Sequence, residues 1–547
     1  MASLHPIVKT LSEFTNHPRL HSFKQSWLTF LLPLTCWIVM YFGRPKILGF
    51  YQDDWYVIAL GSTNGSPWSA ERFEFYINLY INRPVTGIAT YIWSSICNDS
   101  PLAFQIGLVL SALAVTLSLR LFFISFLRLI SSNALWIADI VSAFWLVIPW
   151  TIGFTVSPTY GPCQLGVILF SLSGFFLFSA LSQEREPGVK PAIFFLLSCL
   201  SYELFYGQFI ILLLIGLVSK FQNPRNIYVI RSLPSFVIAQ IFAIVWNRFS
   251  VIGRTGVPSK SFNSNWFSIW QHSTTRLPEI ILQSIPEYIG VSLVYFFGIG
   301  VILFTVALTI NSFKNLKSFN NQIRLFILIL LCFFGLALAN AIQAIAGYGL
   351  TSLGVFSRTT IGATFWMLTA TIPMYVVIAA SSKLIKYTFT LLSIFSILSF
   401  GVATNIQIPD WAMSWQIQQQ IVATAPVAKI ANTNINDFII AILPDEYNRV
   451  PLFQAGWEIN GAIGYTYPNL LPSLLSPTDS NSVPKFLIHR KGIVTTLEGQ
   501  YIKQSLPQHW EQKTKVNGDV YVWRYKPQTF YKASPDLKLD VDVLNIF

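Results

Sequence analysis

Asp53 and Asp54, adjacent carboxylates in the run Tyr51-Gln52-Asp53-Asp54-Trp55-Tyr56, are the residues of this chain best suited to chemistry. They follow directly on an apolar segment, where a dry or lipid-facing charge costs several kcal/mol, so such a pair is a functional candidate by default. A carboxylate within hydrogen-bond reach of a hydroxyl takes its proton as the oxygen attacks. Later segments add Arg83, Glu203, Arg254, Lys260, His272, Arg276 and Arg358. Cations of this kind stabilise charge growing on a departing phosphate, and arginine does so in bidentate geometry. Trp55, Tyr56 and Trp68 supply aromatic faces, which cover the apolar face of a sugar ring. On residues alone, an inert pair of aspartates in a solvated loop stands beside this reading.

The elements that must position these groups are membrane helices. Hydrophobic residues make up 53% of the 547 residues, aromatic ones 15% and charged ones 11%, against roughly 25% charged in soluble domains. The formal net charge is +12, but the basic residues are scattered between apolar runs, which fits topology signals and not a nucleic-acid footprint. Cys36, Cys97, Cys163, Cys199 and Cys332 form no CxxC pair, so neither a disulfide framework nor a thiolate metal site is expected. Of the six histidines, His17 and His21 are suitably spaced but lie near the N-terminus, and no metal site is assigned. A weak Mg²⁺ or Mn²⁺ contact at the two aspartates remains compatible with the sequence.

Residues 1–26 carry Lys9, Arg19 and Lys24 without a small-residue cleavage site, and read as a cytoplasmic tail. The first span is expected at Trp27 to Tyr41. Residues 51–100 then form a loop on the far side. In it Phe73, Tyr76, Ile77, Tyr80 and Ile81 recur at helical spacing, with Glu71, Arg72, Glu74, Asn78 and Asn82 on the opposite face. Pro84 starts a short helix to Cys97, and Ser100-Pro101 caps the next span.

Further spans are expected at Leu102 to Phe122, Ala134 to Ile152, Leu165 to Leu181, Leu233 to Phe249, Ile289 to Ile310, Leu325 to Ile345, Ile361 to Ala380 and Phe389 to Val402. Between Ala192 and Val218, one long helix would bury Glu203 at mid-membrane. Two shorter helices turning at Tyr202-Glu203 place it near the far interface and cost less. With that turn there are about eleven spans, and the basic connections fall on one side, as the positive-inside rule requires. Asp139 lies near the cytoplasmic end of its span, within reach of the interface or a neighbouring helix.

After Val402 the composition turns polar, and residues 404–547 read as a small α/β domain on the side of Asp53 and Asp54. Asp410 is expected to cap an amphipathic helix with Trp411 and Trp415 as interface anchors. Phe438 to Leu443, Lys485 to Ile488 and Val520 to Tyr525 read as strands, with Pro444-Asp445 and Asn517-Gly518 as turns. No phosphate-binding glycine loop is present in the sequence, so no nucleotide site of that kind is indicated.

The acidic loop after the first span, its juxtamembrane helices, Arg83-Pro84, the Tyr202-Glu203 break and the late Arg358 together resemble the GT-C superfamily of polyprenol-dependent glycosyltransferases. That group includes protein O-mannosyltransferases, aminoarabinose transferases and bacterial glucosyltransferases of surface polysaccharides. The resemblance covers residues 27–403 and rests on arrangement. It implies inverting transfer of a sugar from a polyprenyl phosphate to a glycan, lipid or protein acceptor outside a bacterial inner membrane, with no nucleic-acid partner. It implies Asp53 first, and Asp54 second, as general base. Arg358 matches the cation beside the lipid phosphate, and Glu203 matches an acidic position that orients loops. Arg83, Tyr202, Trp55 and Tyr56 complete the substrate-binding set.

A transporter or flippase for lipid-linked sugars would also be polytopic, but such proteins show internal repeats and midplane charges. Here the ionisable residues gather at one interface, which favours an enzyme working at a membrane face. About eleven spans would be excessive for a mere anchor.

Overall fold

The computed structural model describes residues 30–63, 65–130, 132, 134–219, 226–250, 265–279, 319–350, 359–379, 383–434, 436–444, 446–467, 486–489, 493–505 and 511–539. The helices in order are α1 (Leu31–Tyr41), α2 (Asp53–Thr63), α3 (Ala70–Leu79), α4 (Pro84–Cys97), α5 (Pro101–Leu129), α6 (Leu135–Val147), α7 (Ile152–Val156), α8 (Gly161–Ser182), α9 (Lys190–Ser201), α10 (Phe209–Ser219), α11 (Ile227–Phe249), α12 (Trp266–Thr275), α13 (Phe319–Ile345), α14 (Ile361–Ala379), α15 (Lys383–Ala423) and α16 (Val427–Ala431). Among the described residues six helices, α5, α8, α11, α13, α14 and α15, are long and apolar enough to cross a membrane. The segment from α6 to α7 is a seventh, bent by 58°. The chain is therefore an integral membrane protein. The count falls short of about eleven because α1, α9 and α10 are shorter than the roughly 20 residues of a full crossing, and the span expected at Ile289 to Ile310 lies outside the described residues.

α5 sits at the centre of the bundle, with α6 and α8 packed along it. Its Phe122 and Phe126 meet Phe178 of α8, and Phe122 meets Phe365 of α14, at centroid separations of 5.3 to 5.6 Å. Arg120 of α5 donates from Nε to Asp139 of α6 at 2.6 Å. Asp139 thus bonds a neighbouring helix, and pairing is what makes two buried charges tolerable there.

The chain does turn around Glu203. Ser198 of α9 donates to the Gly166 carbonyl at one end of α8. Past the turn, a Cβ on Gly174 of α8 would meet Leu212 of α10, and one on Gly216 would meet Leu181. α9 therefore runs antiparallel to α8, and α10 returns alongside it. Glu203 is left at the end of the bundle where α2 to α4 lie.

α15 overturns the expected break at Val402. It continues for 41 residues with Pro409 inside. Asp410 is consequently an interior helical residue and not a cap, and Trp411 is 1% exposed instead of anchoring an interface. Beyond α16 the chain forms strands β1 (Phe438–Ile442), β2 (Glu446–Tyr447) and β3 (Val450–Pro451), helix α17 (Gly456–Thr466), and strands β4 (Phe486–His489), β5 (Val494–Glu498), β6 (Tyr501–Ser505), β7 (Glu511–Lys515), β8 (Val520–Arg524), β9 (Thr529–Lys532) and β10 (Lys538–Leu539). One sheet has the order β4-β1-β8-β9, the other β10-β5-β6-β7. β1 is parallel to both β4 and β8, and all five of its residues are buried, as expected for a strand covered on both faces. Its Phe438, Ile440 and Ile442 face a small core with Ile502, Val516 and Leu539. Its Ile439 and Ala441 face the opposite way, into a core with α17, Trp523 and the first loop's Phe50, Trp55 and Ile58. The C-terminal domain and the first loop thus share one hydrophobic core.

Candidate functional site

The two aspartates have opposite surroundings. Asp54 is fully buried. Its Oδ2 accepts from the Tyr51 N–H at 2.7 Å. Its Oδ1 accepts from the Ser157 hydroxyl at 2.9 Å, from the Thr159 N–H at 2.7 Å and from the Thr159 hydroxyl. Burial pushes its pKa up to about 7, against the pull of these donors. Asp54 therefore clips the first loop to the segment between α7 and α8. Asp53, the first residue of α2, is half-buried. Its Oδ1 accepts from the indole N–H of Trp457 in α17 at 3.2 Å.

α17 crosses α2 backbone to backbone. A Cβ on Gly461 would lie 2.5 Å from the Trp55 carbonyl oxygen and 2.8 Å from the Tyr56 nitrogen, so only glycine permits the approach. Gln52, held in the left-handed region at φ 49°, donates to Gln454 at 2.7 Å, tying the residue before Asp53 to the same domain. Trp55 is buried, stacked on Trp415 at 5.3 Å, and its indole donates to Gln418 at 2.6 Å. Its ring is covered, so the expected sugar platform at Trp55 becomes a docking residue for α15 and α17. Trp457, whose indole reaches Asp53, is 43% exposed.

Arg83, at the start of α4, makes a two-pronged pair with Glu203: Nε to Oε1 at 2.8 Å and Nη2 to Oε2 at 2.7 Å. The guanidinium lies over the Tyr202 ring at 4.9 Å, and Asn247 of α11 donates to Glu203 at 3.1 Å. Three sequence-expected residues are thereby joined. They contact one another and, through Asn247, α11, which suits holding the loops. Tyr80 lies near both Arg83 and Asp53. Burial and then the Asp53 carboxylate hold its phenol above the usual range, while Arg83 pulls the other way. Tyr56 is likewise raised, by burial first and Asp53 second. Asp53, Tyr56, Tyr80, Arg83 and Glu203 thus share one end of the bundle.

Arg358, Arg254 and Lys260 lie outside the described residues. Arg276 is exposed and paired with Glu279, with His272 at 3.1 Å. Trp68, just before α3, is exposed and packs edge-on against Tyr91 of α4. Arg72, expected on a polar face, is buried in a bidentate pair with Asp99, Nη2 to Oδ2 at 3.0 Å. Phe73, expected on the apolar face, is 42% exposed. Among the described residues no group of three His, Cys, Asp or Glu side chains converges. With the Asp54 oxygens taken up by four donors, the aspartates do not present two open carboxylates to one cation.

Trp457, Gln454, Ser157 and Thr159 are the partners that sequence reasoning missed. The Gly456-Trp457-Glu458 run and the helix-starting Ser157-Pro158 are visible in the sequence, but nothing there links them to Asp53 or Asp54.

Fold and site define an integral membrane protein whose first loop and C-terminal α/β domain meet around an acidic residue at one end of a helical bundle. No protein-family model matches the chain, and no curated protein does. Among solved structures it is similar to the crystal structure of ArnT from Cupriavidus metallidurans bound to undecaprenyl phosphate, with a TM-score of 0.40 and 10% sequence identity over 81% of this chain and 88% of that one.

Proposed function

We propose that this chain is an integral-membrane glycosyltransferase of the GT-C type. It moves a sugar from a polyprenyl phosphate to an acceptor hydroxyl on the extracytoplasmic side of a bacterial inner membrane. Asp53 takes the hydroxyl proton as the acceptor oxygen attacks the anomeric carbon. The new C–O bond forms as the bond to the phosphate oxygen breaks, so polyprenyl phosphate leaves and the anomeric configuration inverts. Arg358 is the cation assigned to stabilise the charge that grows on that phosphate. Arg83, Glu203 and Tyr202 hold the loops around the site, and Tyr56 borders the base.

The observation that carries this reading is the division between the two carboxylates. Asp54 spends both oxygens on internal donors, whereas Asp53 beside it is half-buried and faces an exposed tryptophan. A structural acid thereby fixes a reactive one.

The test is mass spectrometry of envelope glycans from cells with the chain, without it, and with Asp53→Asn or Arg358→Ala. A sugar lost on deletion and not restored by Asp53→Asn is expected. Purified Arg358→Ala should bind undecaprenyl phosphate weakly, while Asp53→Asn binds it normally. Normal glycans with Asp53→Asn would remove the base assignment.

A further inference from the structure

We infer that Trp457 of the C-terminal domain is part of the acceptor side of the site: its indole N–H orients the Asp53 carboxylate, and its open ring seats a pyranose acceptor. This rests on the reading of Asp53 as base. Three observations carry it. Among the described residues, the hydrogen-bond partner of Asp53 is Trp457, at 3.2 Å across 404 positions of sequence. Trp457 is 43% exposed although α17 itself is largely buried. The helix bearing it is fixed on α2 by the Gly461 approach and by Gln454 on Gln52, so the indole reaches Asp53 from a rigid support.

The chemistry follows from that placement. A carboxylate accepting an N–H on one oxygen keeps the lone pairs of the other for the acceptor hydroxyl. An indole face covers the C–H face of a pyranose. A sugar lying on Trp457 therefore brings a hydroxyl on its rim toward Asp53, and the acceptor class is a glycan ending in such a ring. The C-terminal domain then completes the reaction site as well as stabilising the loop.

The test uses the full chain in nanodiscs, with a panel of undecaprenyl phosphate-linked hexoses and pentoses as donors and envelope polysaccharide from the deletion strain as acceptor. Trp457→Phe keeps a flat ring and removes the donor. Its rate at saturating acceptor should fall about tenfold, the scale of a lost hydrogen bond to a charged group, with undecaprenyl phosphate binding and the half-saturating acceptor concentration unchanged. Trp457→Ala should show that loss and also a several-fold higher half-saturating acceptor concentration. The indole N–H resonance of Trp457 should move in Asp53→Asn, which checks the contact without turnover. A Trp457→Phe rate equal to the parent's, while Asp53→Asn is inactive, would overturn the orienting role and leave the base assignment standing. Trp457→Ala with unchanged acceptor dependence would overturn the platform. An active Asp53→Asn would instead remove the reading on which the proposal rests.

Discussion

Gly461 of the C-terminal helix and Trp55 of the first loop approach so closely that a single added methyl group would fall 2.5 Å from the Trp55 carbonyl oxygen. The atoms in the way belong to the backbone, which cannot rotate aside. Gly461→Ala must therefore push α17 off α2 and take Trp457 with it. Overpacking of this kind costs about 1–3 kcal/mol. A lower melting temperature in detergent and a larger loss of transfer are expected; a melt identical to the parent's would show that the two helices have room to spare.

Asp54 and Asp53 should separate stability from activity. Asp54→Ala strands the Tyr51 and Thr159 N–H groups and two hydroxyls, and a buried donor left without an acceptor costs about 1–3 kcal/mol. Thermal melts should drop strongly for Asp54→Ala and stay near the parent's for Asp53→Ala. Equal melts for the two variants would contradict the division of roles.

The raised pKa of Asp54, about 7 against 3.8 in an unstructured chain, sets a direction with pH. Between those values the folded state holds a proton that the unfolded state has released, so stability falls as pH rises. Asp54's contribution is fully present below about pH 4 and is lost as pH passes about 7. Asp54→Asn removes that dependence. Melting midpoints from pH 5 to 8 should decline more steeply in the parent than in Asp54→Asn; parallel curves would dismiss Asp54 as the titrating group.

Arg83 and Glu203 are each 21% exposed, so solvent weakens their attraction, yet the two-pronged geometry and the Tyr202 ring favour arginine specifically. A double-mutant cycle of Arg83→Ala and Glu203→Ala should give a coupling of about 1 kcal/mol. Arg83→Lys should recover only part of it, since an ammonium cannot make both contacts. Full recovery by lysine would reduce the pair to simple charge.

Local chemistry made some of this legible from sequence. Ser100 accepts from the N–H of Ala103, and α4 begins at Pro84 as its missing donor requires. The turn at Tyr202-Glu203 followed from the cost of a mid-membrane carboxylate. The strands β1, β4 and β8 were readable because they are apolar runs, whereas β7, Glu511-Gln512-Lys513-Thr514-Lys515, carries no such signal. Arg72 was misplaced because helical spacing shows which residues share a face, not that Asp99 waits on the buried side. The link from Asp53 to Trp457 spans 404 positions and is created by packing alone. A boundary after Val402 was read from the polar turn in composition and from Asp410 as a cap, but the helix runs on through Pro409, with Trp411 buried and edge-on to Tyr51 at 4.9 Å.

The unbroken run of α15 has a mechanical consequence. At 1.5 Å per residue, its 41 residues make a rod about 60 Å long, more than enough to traverse a bilayer and continue into the domain beyond. Such a rod acts as a ruler, holding the domain surface packed on its far end at a set distance and bearing from α6. One residue inserted between Val402 and Trp411 would swing that surface through about 100° while raising it by only about 1.5 Å.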